Sequence, residues 1–432
     1  MRTFPLNPIL CGLVATSLSF AAHAADEKNT DTSAKGEQIK LEQIVVTAQK
    51  KVENIQTVPV SVVALGMDDL GNRKMRNTQE IVSQAPNVQM LGSNGDAQLV
   101  LGMRGVTQSD YSPNGSGAVA LYVDEIYMGA TPLASGVQLF DIDRVEMLLG
   151  PQGTLYGKNT TGGAVNIMTT RPQMMGTSGY VEVGAGNFGY RTMTGALDQE
   201  LSENWGARFA FTSVSNDGFV ENKLAGAENL SQIDEQAARF SLAYEGDGLD
   251  AILRVHKSRS RANPTNILLI EADGGVANGG VGIGFTGYTR GDLGFHETEN
   301  NNVRAKKLDL TGANLTINYG LTDYTLTSIT SFDDGEYFTP EDADGSPYHL
   351  LEDEFYAQTR QFTQDLRLSS DYAGPFNFIA GLFFSKDTTD GATTYRWLAD
   401  FGDGTQPLPN NCEDTFFYGC YYSNSYEQTR TT

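Results

Sequence analysis

From Met175 onward, apolar and polar residues alternate with a period of two, and that rhythm limits this 432-residue chain to few architectures. Trp205, Ala207, Phe209 and Phe211 fall on one side of a strand, Arg208 and Thr212 on the other. Phe240, Leu242 and Tyr244 alternate with Arg239, Ser241 and Glu245. Leu249, Ala251, Leu253 and Val255 alternate with Asp250, Arg254 and His256, and Phe376, Phe378, Ala380, Leu382 and Phe384 form another apolar row. Successive side chains of a strand point to opposite faces, so each run has one greasy and one polar face. Runs of about ten such residues, apolar face outward, are the pattern of strands crossing a bilayer as a closed barrel. A soluble β-sandwich shares the period but uses shorter strands. Short turns at Leu201-Ser202-Glu203, Gly246-Asp247-Gly248 and Asp371-Tyr372-Ala373-Gly374 alternate with long polar stretches (260–304, 333–354, 391–422). That asymmetry predicts short periplasmic turns and long outer loops.

The chain start agrees with export. Arg2 gives a thin positive region, Ile9 to Ala22 are mostly apolar, and Ala22-His23-Ala24 is a small-x-small cleavage pattern, so residues 1–24 read as a signal peptide. A buried helix is the bland alternative. No later segment reaches the roughly 20 apolar residues of a membrane helix. A net charge of −23 argues against nucleic acid as a partner. Residues 25–40 are polar and charged and predict a disordered leader. Two cysteines follow the cleavage site, Cys412 and Cys420. An oxidising envelope favours a loop-stapling disulfide between them; free thiols or a metal pair are the alternatives.

Between leader and alternating region the pattern changes. Short strand-like runs at Pro59 to Ala64, Val88 to Leu91, Gln98 to Gly105, Ala118 to Glu125, Val145 to Leu149 and Ala164 to Met168 surround a helix-like run at Thr78 to Gln84. The stretch Leu139 to Pro172 is the most distinctive. It holds an apolar strand, a Gly-Pro-Gln-Gly turn and corners at Gly157, Gly162 and Gly163, where residues with a Cβ would clash.

That stretch resembles the end of the plug domain of TonB-dependent outer-membrane receptors. N-I-Q-T-V-P-V-S-V (Asn54 to Val62), M-R-G-V (Met103 to Val106) and Y-V-D-E-I-Y (Tyr122 to Tyr127) resemble plug motifs in the family order. Glu125 departs from the pattern, since many relatives have Gly there. Ahead of them, Ile44, Val45, Val46, Thr47 and Ala48 resemble the TonB box within residues 41–50. An edge strand of the next domain is the other reading; the box would instead add to a partner's sheet edge by β-augmentation. The resemblance implies an α+β plug domain (51–172) followed by an all-β antiparallel transmembrane β-barrel (176–432). The barrel is incomplete here: roughly nine or ten strands against the 22 of this type of transporter. It further implies a Gram-negative outer-membrane location, a transporter rather than a signal transducer, and a chain that is the N-terminal half of a receptor.

No catalytic constellation stands out. Gly282 to Gly287 matches G-x-G-x-x-G without the helix it needs. Asp342-Ala343-Asp344-Gly345 looks like a calcium loop with its closing Glu out of register. His256, His296 and His349 are dispersed. The reading is therefore a non-enzyme with no cofactor and no metal site. Arg104, Arg144 and Glu146 are expected to form ion pairs between plug and barrel wall, broken when TonB pulls. Substrate contacts are expected from Gly92 to Asp96 and Gln108 to Ser116, above all Tyr111, Gln108 and Asn94. The implied partners are TonB with its inner-membrane energising proteins, outer-membrane lipids, the barrel-assembly machinery, and a scarce solute. A ferric siderophore or similar metal chelate is the first expectation. The alternatives are a non-iron solute (carbohydrate or cobalamin) or a truncated, transport-incompetent receptor fragment.

Overall fold

The computed structural model describes residues 45–90 (without 48, 52, 74, 76, 77 and 83), 100–108, 113–263, 288, 290–301, 304–398 and 420–432. Everything below concerns those residues. The signal and leader regions, Ile44, Ala48, Asn94, Tyr111, Cys412 and the 282–287 glycine motif lie outside them. Of the Cys420 side chain nothing is described.

The first half runs β1 (Val45–Val46), β2 (Glu53–Asn54), β3 (Ser61–Gly66), α1 (Met67–Asn72), α2 (Thr78–Val82), β4 (Val88–Met90), β5 (Leu101–Met103), β6 (Val119–Val123) and β7 (Ile126–Tyr127). It continues with α3 (Thr131–Ser135), β8 (Ile142–Leu149), α4 (Gly153–Tyr156) and β9 (Gly163–Thr169). A five-stranded sheet in the order β3-β8-β9-β6-β7 is the centre of this unit, with β6 and β9 parallel and the other pairs antiparallel. Its central strands are near-continuous apolar runs because both faces are covered. Val119 and Leu121 of β6, Val145 and Met147 of β8, and Val165 and Ile167 of β9 go to one core. The alternate residues Ala120, Tyr122, Leu148 and Ala164 go to a second. Gly163 is required where β9 begins: φ is +153°, and a Cβ there would collide with the Leu148 carbonyl and the Met103 sulfur.

The second half is one antiparallel sheet of ten strands among the described residues. They are β10 (Thr177–Ala185), β11 (Arg191–Ser202), β12 (Trp205–Asn216), β14 (Ile233–Gly246), β15 (Leu249–Ala262), β17 (Lys306–Gly320), β18 (Tyr324–Asp342), β19 (Leu351–Ser370), β20 (Ile379–Trp397) and β21 (Cys420–Thr431). Two short strands outside it, β13 (Glu221–Asn222) and β16 (Glu297–Thr298), pair in parallel. The alternation behaves as the sequence predicts. Trp205, Phe209, Phe240, Leu253 and Val255 are exposed, while Arg208, Arg239, Ser241 and Arg254 are buried on the opposite face.

The strand register turns those buried residues into transverse rows. One row runs Tyr180, Ala196, Ala210, Arg239, His256, Gly312, Asp333, Gln361, Asp387 and Arg430 across all ten strands. This polar inner belt faces the first half of the chain, and Leu310 and Ile329 of the wall enter the first half's larger core. Helix α3 seats against the wall where side chains are missing. A Cβ on Gly136 would stand 2.7 Å from Leu310 Cβ, and one on Gly335 would stand 2.9 Å from Leu133 Cδ2.

Candidate functional site

Val46 is wholly buried in the second core, beside Tyr122, Tyr127, Leu148 and Tyr156. Burying a valine is worth about 1.5–3 kcal/mol. Its strand β1 is held by β2 through the pairs Val45–Asn54 and Val46–Glu53. The next residue is fixed by polar contacts. Thr47 N donates to Glu146 Oε1 at 2.8 Å, Thr47 Oγ1 reaches the same carboxylate at 3.1 and 3.2 Å, and the Tyr156 hydroxyl donates to Thr47 O at 3.3 Å. Asn166 donates to the Tyr156 hydroxyl at 2.8 Å, and the Tyr122 hydroxyl donates to Tyr156 O at 2.6 Å, so the seat is rigid. Burial pushes the Tyr122 and Tyr156 hydroxyls well above the ordinary phenol range, which keeps them neutral donors.

Lys50 closes the seat, its Nζ 4.5 Å from the Tyr156 ring centre and 3.5 Å from Glu125 Oε2. Burial holds the Lys50 ammonium below its usual range, against the pull of Glu125. Burial also pushes the Glu125 carboxyl up, but Lys50 and Arg367 outweigh it and leave the group below its usual range. Arg367, on β19 of the wall, lies 2.7 Å from that carboxylate. Glu125 therefore joins the chain next to the buried strand, the plug-side hairpin and the wall. Its own backbone has φ of +68° and Asp124 has +50°. Relatives with Gly at this turn would adopt that geometry without strain; here the side chain has a contact to make.

The expected ion pairs need correction. Arg144 and Glu146 do not reach the wall. They stand two residues apart on one face of β8, so Arg144 Nε bonds Glu146 Oε1 at 2.8 Å, with Asp143 beside it. Glu146 is fully buried and spends its other contacts on Thr47. Arg104 is exposed in a tight turn at φ +51° and has no ion-pair partner among the described residues. Gln108 is described and half-buried.

The pairs that do cross are different. Asp141 accepts from Arg208 Nε at 2.9 Å and from Arg239 Nη2 at 3.1 Å, and Arg208 also pairs with Asp198. Arg254 Nε lies 3.2 Å from Asp124, and Lys158 lies 3.7 Å from Asp387. Bonds to uncharged acceptors join them: Gln361 donates to Tyr127 O at 2.6 Å, Ser258 to Gly136 O at 2.6 Å, and Arg430 to Ser116 Oγ at 2.6 Å. One signal for these residues is in the sequence: arginines on the inward side of an alternating strand must be paired there. Their acidic partners sit in plug turns with no such pattern. Among the described residues no cluster suited to a metal ion is present. Asp342 of the calcium-like run instead caps its own turn, accepting from Asp344 N at 3.1 Å and Gly345 N at 2.8 Å.

Residues 54–164 match the family model of the TonB-dependent receptor plug domain. That stretch of the chain is a TonB-dependent receptor plug domain. The chain is similar to the pesticin receptor of Yersinia pestis, 30% identical over 236 residues, which cover 53% of this chain and 31% of that receptor. It is 26% identical over 319 residues to the iron-regulated outer membrane virulence protein of Vibrio cholerae, covering 70% of this chain and 43% of that protein. The matched stretches thus span less than half the length of these relatives. The siderophore receptor of Acinetobacter baumannii has the same fold, with TM-score 0.63 and 14% identity over 91% of this chain and 56% of that one. A plug with an antiparallel sheet against it is this family's architecture, and its place is the outer membrane of a Gram-negative cell. The family is one of receptors and transporters, not an enzyme class.

Proposed function

We propose that the chain is the plug and first barrel portion of a receptor that imports a ferric siderophore or similar metal chelate, powered through TonB. Residues 44–48 are the coupling strand, and the protein carries out no catalysis. The observation that carries this reading is the seat of Val46 and Thr47. A β-branched segment is anchored by one fully buried side chain and by bonds to Glu146, which lies on a central strand of the plug sheet. Force on such a segment is delivered straight to that strand. Extended backbone at Val45 and Val46 suits pairing with a partner's sheet edge once β1 leaves β2. The iron-related names of the relatives support a ferric chelate over a carbohydrate.

Val45→Pro tests the reading, because proline removes a main-chain donor from the pairing strand. In outer membranes, uptake of iron-55 bound to a panel of catecholate, hydroxamate and phenolate chelators should fall to background. Binding of the same chelates should persist. Unchanged uptake would refute the coupling role; uptake of labelled cobalamin alone from a wider panel would replace the substrate class.

A further inference from the structure

The two ends of the wall's outward face differ in chemistry. Near the short turns its residues are Trp205, Tyr244, Leu249, Tyr319 and Leu326, all uncharged, with the Trp205 and Tyr244 rings 5.0 Å apart. Toward the long loops, β15 changes abruptly. Its outward positions read Leu249, Ala251, Leu253 and Val255, then Lys257, Arg259 and Arg261. A strand crosses a bilayer in roughly 9–11 residues. Counted from Leu249, that length ends at Lys257 to Arg259, at the level of the lipid headgroups. Alternate residues of a strand stand about 7 Å apart on one face, so the three cations form a file continuous with the apolar row below.

The neighbouring strands do not cancel the charge of this file. Asp309 lies directly opposite Arg259 on β17, but it gives both carboxylate oxygens to Arg261, each at 2.7 Å. Glu336 on β18 is held by Lys307. On the other side, β14 sets the uncharged Ala238 and Gln236 opposite Lys257 and Arg259. Lys257 and Arg259 are exposed and have no ion-pair partner among the described residues. In a chain of net charge −23, two adjacent uncompensated cations do not follow from composition. We propose that Lys257 and Arg259 bind a phosphomonoester headgroup of an outer-leaflet lipid whose acyl chains lie along Leu253 and Val255. The guanidinium fork takes two phosphate oxygens, and the ammonium supplies the second positive charge. A phosphomonoester carries about −1.5 to −2 near neutral pH and matches both cations. A phosphodiester carries a single charge and leaves one of them unmatched. The site depends on the outer-membrane location and not on the import reading.

Lipid retention by the intact receptor in detergent, read by native mass spectrometry, tests the site without solute or TonB. The probes are phosphatidic acid, a phosphomonoester, phosphatidylglycerol, a phosphodiester, and phosphatidylcholine, in equal amounts. Phosphatidic acid should be retained most strongly. Each basic residue at an anionic lipid surface changes binding by about five-fold. Lys257→Gln or Arg259→Gln alone should therefore weaken retention of phosphatidic acid roughly five-fold, and the two together roughly twenty-five-fold. Lys386→Gln, an exposed lysine on β20 away from the file, should change nothing. If the double variant does not insert, the single ones decide. Unchanged retention in both single variants, or equal retention of phosphatidic acid and phosphatidylglycerol by the parent, would overturn the proposal. Displacement of the lipid by an equal concentration of inorganic phosphate would overturn it too, by showing a site for free anions.

Discussion

The Thr47 amide and the Glu146 carboxylate meet at 2.8 Å across 99 residues of sequence, and this bond ties the proposed coupling segment to the centre of the plug. Because Glu146 is fully buried, its charge is compensated, among the described residues, by that segment and by Arg144. The segment is therefore held shut by electrostatics as well as by Val46.

Removing the carboxylate should loosen the segment. A hydrogen bond to a charged group is worth about 1.5–3 kcal/mol. Glu146→Gln in solute-free membranes should raise the affinity of a purified TonB C-terminal domain by roughly ten-fold or more, at 1.4 kcal/mol per decade. Identical affinities would mean that Thr47 is not what keeps the segment seated.

Glu125 balances two effects. Its left-handed backbone costs of order 1–3 kcal/mol, whereas stranding one member of a buried ion pair costs about 3–5 kcal/mol. Arg367 keeps Asp365 at 3.3 Å, which recovers part of the loss. Glu125→Gly should still come out net destabilising, by about 1 kcal/mol on these figures. The check is amide exchange of β6 and β7 peptides; combined with Arg367→Ala, the two effects should be non-additive. Slower exchange in Glu125→Gly would show that the strain outweighs the pair.

The contact of α3 with the wall leaves no spare volume. Gly136→Ala puts a methyl where Leu310 Cβ already stands, and overpacking of this kind costs about 1–3 kcal/mol. The plug should become protease-sensitive, whereas Gly153→Ala, where an added Cβ meets nothing within 4 Å, should leave its resistance unchanged. Equal sensitivity of the two variants would locate the cost elsewhere than in the contact with Leu310.

The outer end of the β18–β19 hairpin should depend on pH. These strands, 19 and 20 residues long, overrun the roughly 9–11 residues needed to cross a bilayer, so their loop end stands outside it. There Glu341 lies directly opposite Asp353. Burial, and for Glu341 also the facing carboxylate, pushes Glu341 up to about 7 and Asp353 to about 6. Both values are raised, so the folded hairpin holds its protons more tightly than the unfolded chain. The contribution of these two protons to its stability is complete below about pH 4 and is lost as pH rises through 6 and 7. Amide exchange over residues 336–356, corrected for intrinsic rate, should be faster at pH 8 than at pH 5, and Glu341→Gln should flatten the difference. No difference between the two pH values would mean that the two carboxylates are ionised throughout.

The sequence alone determined the rhythm of the molecule and its kinship. The two-residue period of 205–211 or 249–255 had to become strands with one greasy face, because side-chain direction in a strand is a local property. The glycine pattern of 139–172 likewise identified the plug through backbone conformations that only glycine takes easily. What lies between plug and wall was decided by tertiary structure. Arg144 and Glu146 looked like wall contacts, yet two residues of spacing on one strand places them side by side and turns them inward. The crossing pairs, Glu125 with Arg367 and Asp141 with Arg208 and Arg239, join residues 67 to 242 positions apart. Their meeting depends on strand register and on how the plug is seated, and no local periodicity carries that information.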